Sequence, residues 1–233
     1  MCEQQNLNLN YEVREMNKEK VVVSFSGGKD STLSLYRMIK EGYEVIGLLV
    51  TFDDQNDSCF HRIPKNILKE VSNELEIPLI EVDCSNGKVY EEEFESALKV
   101  SKDKGAEICV FGDIDIEAHK KWCLDRCDAV GIKGIFPLWQ ENRESLTNEF
   151  IDYGFKAVIK KVNLKTLGQE FLGKELNKDV VNEVKKLGCD PSGENGEYHT
   201  LVFDGPIFKQ RVKFIKVNKE IAGEFGYLTI DKV

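Results

Sequence analysis

The chain has 233 residues, 41% hydrophobic and 31% charged, enough apolar material for the core of one large or two modest globular domains. Its net charge of −9 argues against a non-specific nucleic-acid binder, which neutralises phosphates with clustered Lys and Arg. No apolar run nears the roughly 18 residues that span a bilayer, and the opening MCEQQNLNLNYEVREMNKEK lacks the apolar segment of a secretory signal. Seven scattered cysteines fit reduced thiols and a cytoplasmic setting better than a disulfide framework.

After a polar tail (1–18), the β-branched run Val21 to Phe25 predicts a strand covered on both faces. Leu33, Leu35, Tyr36 and Ile39 carry a helical pattern that Gly42 stops. A second strand is expected over Glu44 to Phe52 and a helix from about Pro64 to Leu75. A third strand follows over Ile77 to Asp83, then an amphipathic helix with Val89, Phe94, Ala97 and Leu98 inward. Glu107 to Asp113 reads as strand four and Ile116 to Val130 as the next helix. This alternation predicts βαβ units on a parallel sheet. From about Phe136 the regularity loosens. KAVIKKVN (156–163) and a hairpin-like stretch from Arg211 to Val233 then point to a smaller, strand-richer unit. The expected division is 19–135 for a nucleotide-binding domain and 136–233 for an acceptor-substrate domain. The pairs Lys120–Lys121, Lys160–Lys161 and Lys185–Lys186 read as solvated helix faces.

The most informative stretch is SFSGGKDS, residues 24 to 31, where the first strand turns into the first helix. A helix opening there presents N–H groups without intrahelical partners, with the positive end of the dipole behind them. Gly27 and Gly28 let a bulky anion approach, Ser26 and Ser31 add hydroxyls, and Lys29 adds a cation. Such a turn is built to cradle phosphate. It is not the GxxxxGK[ST] loop, because its glycines are adjacent and the lysine follows directly. A second polar cluster, GENGEYHT (193–200), lies between a predicted helix and a strand. Polar groups that dense on a glycine-flexed loop belong in a site or on an exposed turn.

SFSGGKDS resembles the pyrophosphate loop of the PP-loop ATP pyrophosphatases. That resemblance implies an α/β fold, a doubly wound parallel sheet of the nucleotide α-hydrolase type with a smaller α+β C-terminal domain. It also implies ATP and Mg²⁺, with adenylation of a substrate and release of pyrophosphate. By motif, Ser26, Gly27, Gly28, Lys29, Asp30 and Ser31 would surround the phosphates and Asp30 would reach the metal. Ser24, Thr51, Phe52, His61, Gly112 and Asp113 complete the expected nucleotide set, with Asp113 or Asp115 the expected cap of the following helix. GENGEYHTLVFDGPIF resembles the C-terminal signature of the diphthine–ammonia ligase family, as do GDIDIEAHKKWCLDRCDAVGIKGIFPLW and GFKAVIKKVN.

The family resemblance implies ATP-dependent amidation of a carboxylate by ammonia. Gly193, Glu194, Asn195, Gly196, Glu197, Tyr198, His199 and Thr200 then form the acceptor-side loop. Glu194 and Glu197 would orient or deprotonate ammonia, and His199 would assist. Asn195 and His199 depart from the diphthamide-making pattern and resemble a sister branch tied to cobalamin-precursor metabolism. The acceptor is thus either the diphthine of elongation factor 2 or a small-molecule carboxylate. A homodimer is compatible with the sequence, with no membrane partner and no nucleic-acid substrate expected. Rival readings are a tRNA sulfur transferase, for which Cys123 and Cys127 share a helix face without a CxxC pair, and a non-catalytic nucleotide sensor.

Overall fold

A computed structural model describes residues 18–55 and 57–233; apart from Lys18, the expected polar tail lies outside them. Five parallel strands form one sheet in the order β3-β2-β1-β4-β5: β1 (Lys20–Ser24), β2 (Glu44–Phe52), β3 (Leu79–Asp83), β4 (Ile108–Val110) and β5 (Lys133–Ile135). Helices α1 (Lys29–Lys40), α2 (Lys65–Leu75), α3 (Tyr90–Asp103) and α4 (Glu117–Val130) make the crossovers. After α5 (Arg143–Asp152) comes a four-stranded antiparallel sheet ordered β7-β6-β9-β8. It consists of β6 (Lys156–Asn163), β7 (Tyr198–Asp204), β8 (Phe214–Ala222) and β9 (Phe225–Lys232), with α6 (Lys178–Lys186) between β6 and β7.

The unbroken apolar run of β1 is explained by burial on both faces. Val21 and Val23 join Leu33, Leu35, Met38, Ile67 and Leu68 of α1 and α2 on one side. Val22 joins Phe94, Leu98, Cys109 and Phe111 on the other, as the period of two requires. The first of these cores continues into the antiparallel sheet through Ala157, Ile159, Leu201, Val202 and Leu228, so α1 and α2 are covered by one sheet on each side. Because β1 is flanked by β2 and β4, the chain reverses winding direction between β1 and β4. That switch point opens the crevice where such sheets bind ligands.

Four features depart from the sequence reading. The short β5 was not foreseen, because three residues outside any periodic run carry no strand signal; it pairs in parallel with β4. Val89 is the N-cap of α3 and is exposed, one residue too early for the inward face. Asp113 and Asp115 do not cap α4, whose N-cap is Ile116 without a side-chain bond. Lys160–Lys161 lies not on a helix but at a register shift in β6, where Ile159 faces Thr200 and Lys161 faces His199. This bulge turns Lys160 into the interior, where it is 3% exposed and burial lowers its pKa to about 8.

One side chain ties the two halves together. The Arg37 guanidinium on α1 donates to Pro137 O at 2.7 Å, to Glu149 at 2.6 and 3.1 Å, and to Glu141. Replacing it by Met removes bonds to two carboxylates and a carbonyl at once. Arg37→Met should lower stability by about 2–4 kcal/mol, read as an earlier urea midpoint; an unmoved midpoint would mean this clamp contributes nothing.

Candidate functional site

The phosphate-type loop forms because β1 ends under α1 with no side-chain cap on the helix. Gly27 takes φ +77°, and a Cβ on Gly28 would sit 2.5 Å from His61 Cε1, so the two glycines turn the chain and admit the histidine. The loop is partly satisfied from within: the Ser26 amide donates to Ser31 Oγ at 3.3 Å and the Gly28 amide to Ser26 Oγ at 3.3 Å. The Lys29 amide is not free, as the sequence suggested, but donates to Thr200 Oγ1 of β7 at 3.0 Å. In return Val202 N donates to Gly27 O at 2.9 Å, and His61 Nδ1 lies 2.9 Å from Thr200 O. The amides of Asp30 and Ser31 find no protein acceptor among the described residues, and both residues line the crevice.

Gly112 has a structural reason for its identity. A Cβ there would stand 2.8 Å from Ser31 N and 3.0 Å from Asp30 C, so the end of β4 can approach the first turn of α1 only without a side chain.

A cavity of about 460 Å³ opens at these strand ends. Ser24, Ser26, Asp30, Ser31, His61, Gly112, Asp113, Glu194 and His199 line it, together with Phe60, Tyr90, Phe111, His119, Trp122 and Cys123. An adjoining chamber of about 280 Å³ adds Lys29, Ser192, Gly193, Gly196, Tyr198 and Thr200. The fold thus brings the two motifs, more than 160 residues apart in sequence, to one crevice. All three histidines of the chain face it.

Not every expected residue is there. Thr51 and Phe52 lie away from the cavity: Phe52 lines a separate polar cleft with Asp53, Asp54 and Asp83, its ring 5.0 Å from Lys65 Nζ. The strand has already passed the crevice at that point, because β2 flanks β1 on the side away from β4. Glu197 and Asn195 line neither chamber. Glu197 is buried, and its carboxylate accepts from the amides of Asp190 at 3.0 Å and Asn195 at 3.1 Å. Asn195 Oδ1 accepts from Arg143 at 3.0 Å. Both side chains shape the 190–197 loop and neither reaches the crevice; polarity and spacing alone could not tell the two orientations apart.

The structure also adds residues that the sequence reading passed over. Tyr90 and Trp122 stack at 4.9 Å with an 8° interplanar angle and form an apolar wall. His119 Nδ1 is 3.3 Å from Asp113 Oδ1. Arg143 bridges Asp115 at 2.6 Å and Asp190 at 2.5 Å, which pins the 190–197 loop to the segment after β4. The position of His119 at the start of α4, just beyond the C-terminal end of β4, was the available signal.

Charges in the crevice are unequally compensated. The Lys29 ammonium is buried and donates to both Asp30 oxygens at 2.8 and 2.7 Å; it is 4.0 Å from Glu194 Oε1. Burial, reinforced by the Asp30 charge, raises the Glu194 carboxyl to about 7. Burial also raises Asp113, opposed by His119. Burial lowers His61 to about 4 and His199 to about 2, with Lys29 and Lys161 adding repulsion to both, so these two rings stay uncharged at neutral pH. Cys123 and Cys109 are held as thiols by burial. Among the described residues no group of three or more His, Cys, Asp or Glu is arranged to hold a metal ion, and no helix is long and apolar enough to cross a membrane.

Residues 19–134 match the family model of the diphthamide synthase N-terminal domain and residues 142–233 that of the diphthamide synthase C-terminal domain. Curated relatives described as diphthine–ammonia ligase include the protein of Schizosaccharomyces pombe, 26% identical over 91% of this chain but 39% of the relative's length. Those of Rattus norvegicus and Homo sapiens are 27% and 25% identical, over 83% of this chain and 82% of each relative. A tRNA-specific 2-thiouridylase of Geobacillus kaustophilus is 41% identical over only 29% of this chain and 19% of its own length.

The Glu194 carboxyl should show a titration midpoint near 7 by carbon NMR of the labelled side chain. Asp30→Asn removes a neighbouring negative charge, so protonation becomes less favourable and the midpoint should fall. An unchanged midpoint would contradict the coupling. With both family models matched and the phosphate loop joined to the second signature in one crevice, the chain belongs to the diphthamide synthase family of PP-loop ATP pyrophosphatases.

Proposed function

We propose that this protein adenylates an acceptor carboxylate with ATP and amidates it with ammonia. The observation that carries this reading is that Lys29 and Asp30 of the phosphate loop and Glu194 and His199 of the second signature line adjoining chambers at the switch point. Two half-reactions on one acyl group need the nucleotide and the nitrogen source within reach of the same carbon.

In the first half, a carboxylate oxygen bonds to the α-phosphorus, the bridging P–O bond breaks, and pyrophosphate leaves with the electron pair. The free amides of Asp30 and Ser31, the Ser26 and Ser31 hydroxyls and the Lys29 ammonium are preorganised donors for the charge that grows on it. Ser24 at the end of β1 and Gly112 leave room beside them. Asp30 would hold Mg²⁺ with phosphate oxygens as its other ligands, the sparse protein donor set usual for this ion. When bound, the ion would supply further charge neutralisation.

In the second half, nitrogen attacks the acyl carbon, AMP departs, and Glu194 accepts a proton from the nitrogen near neutral pH. Glu197 acts on the loop alone, presenting Glu194 by holding the Asp190 and Asn195 amides. The acceptor is diphthine on elongation factor 2, by likeness to the relatives described as diphthine–ammonia ligases. A small-molecule carboxylate is a second reading, favoured by His199, which puts a neutral ring in the crevice where the diphthamide branch carries a glutamate. The sulfur-transfer reading is disfavoured because Cys123 and Cys127 are buried and no second signature of that kind accompanies the local match.

AMP should accumulate over many turnovers only when ATP, ammonium and an acceptor are combined, with diphthine-bearing elongation factor 2 tested beside a panel of small carboxylates. Lys29→Met should reduce AMP release on the order of 10²–10³-fold, measured by chromatography of the nucleotides. Wild-type turnover in that variant would remove the loop from the chemistry. Glu197→Ala should retain magnesium–ATP binding and lose amide formation through loop disorder.

A further inference from the structure

The nitrogen balance of the proposed reaction requires more than one base. Ammonium carries four hydrogens and an amide nitrogen two, so two protons leave between binding and product. One leaves before attack, because ammonium has no lone pair, and one after the C–N bond has formed. Glu194 can take only one of them per cycle.

The other groups in the crevice are committed. Asp30 accepts two bonds from Lys29, and Lys29 already bears its proton. His61 has Nδ1 against Thr200 O, and its ring lies 4.7 Å from that of His199 in a corner where the nearby charges are cationic. Protonating either ring there would be opposed by Lys29 and Lys161. Glu197 is bound by the loop amides.

His119 differs from the other histidines in every respect. Its ring is largely exposed, lies at the cavity wall, and has the carboxylate of Asp113 3.3 Å from Nδ1. A carboxylate beside Nδ1 favours a proton on that nitrogen, which leaves Nε2 to accept one. Asp113 is in turn approached by the Cys123 thiol at 3.9 Å and packed beside Gly112, so its position is set by the end of β4. Asp30 and Glu194 share the same cavity, so carboxyl groups face the space where a cation such as ammonium would sit.

We propose that His119, positioned by Asp113, is the general base that converts bound ammonium to ammonia before it attacks the acyl adenylate. The proton passes from ammonium to His119 Nε2, the freed lone pair forms the C–N bond, the C–O bond to AMP breaks with its electron pair on AMP, and the second proton goes to Glu194. This assignment rests on the amidation reading above.

The test uses the full chain with ATP, diphthine-bearing elongation factor 2, and either ammonium chloride or hydroxylamine as nucleophile. Hydroxylamine is largely uncharged at neutral pH and needs no proton removed before it attacks. His119→Ala should lose about 10²-fold or more of amide formation from ammonium while hydroxamate formation stays within a few-fold of wild type. Its deficit should shrink as pH rises and free ammonia becomes abundant. Asp113→Asn should give the same split with a smaller loss. ATP–pyrophosphate exchange reports the adenylation half separately, and a urea midpoint reports folding. Equal losses with both nucleophiles, or a wild-type rate from ammonium in His119→Ala, would overturn the assignment while leaving amidation in place. Absence of exchange in the wild type both with diphthine-bearing elongation factor 2 and with every carboxylate of the panel would instead overturn both.

Discussion

The site depends on the docking of β7 against the phosphate loop. Thr200 Oγ1 accepts from the Lys29 amide, the Thr200 carbonyl meets His61 Nδ1, and Val202 N donates to the Gly27 carbonyl. These are buried bonds, so leaving any one partner unmatched would cost about 1–3 kcal/mol. They fix the loop conformation from outside, adding to the bonds of Ser26 and Ser31 within the loop. The same contacts deliver Glu194 and His199 to the crevice, because the 190–197 loop leads directly into β7.

Burial then differentiates groups of similar chemistry. Glu194 and Glu197 are three residues apart and look alike in sequence. Glu197 accepts from two backbone amides of the loop, whereas Glu194 faces Asp30 with few donors of its own and is pushed towards neutrality. The three histidines differ too: two are half-buried near cations and one is exposed beside a carboxylate. For Glu194, His61 and His199 burial is the larger cause of the shift, and the neighbouring charges add to it.

The antiparallel sheet contributes structure and function together. Its inner face completes the core over α1 and α2, and its β6 bulge carries Lys161 opposite His199. Arg143 joins Asp115 to Asp190 across the two halves, and Arg37 does so on the far side of α1. The two halves are therefore joined by two guanidinium groups, whose planar forks meet several acceptors at once.

Much of this could be read from the chain itself. The β-branched run of β1, the SGGKDS turn and the strand–helix alternation are local patterns, because burial on both faces and a phosphate-ready helix start leave signatures within a few residues. The polar density of 193–200 marked the second half of the site in the same way. Which of those polar side chains face the crevice was not legible, since Glu194 and Glu197 differ only in the acceptors and donors that folding brings to them. Nor could the sequence reveal that Thr200 occupies an amide of the phosphate loop, that Thr51 and Phe52 turn away, or that His119 meets Asp113. Each of these is a contact between segments far apart along the chain or across a turn, and its geometry exists only once the two sheets have closed over α1 and α2.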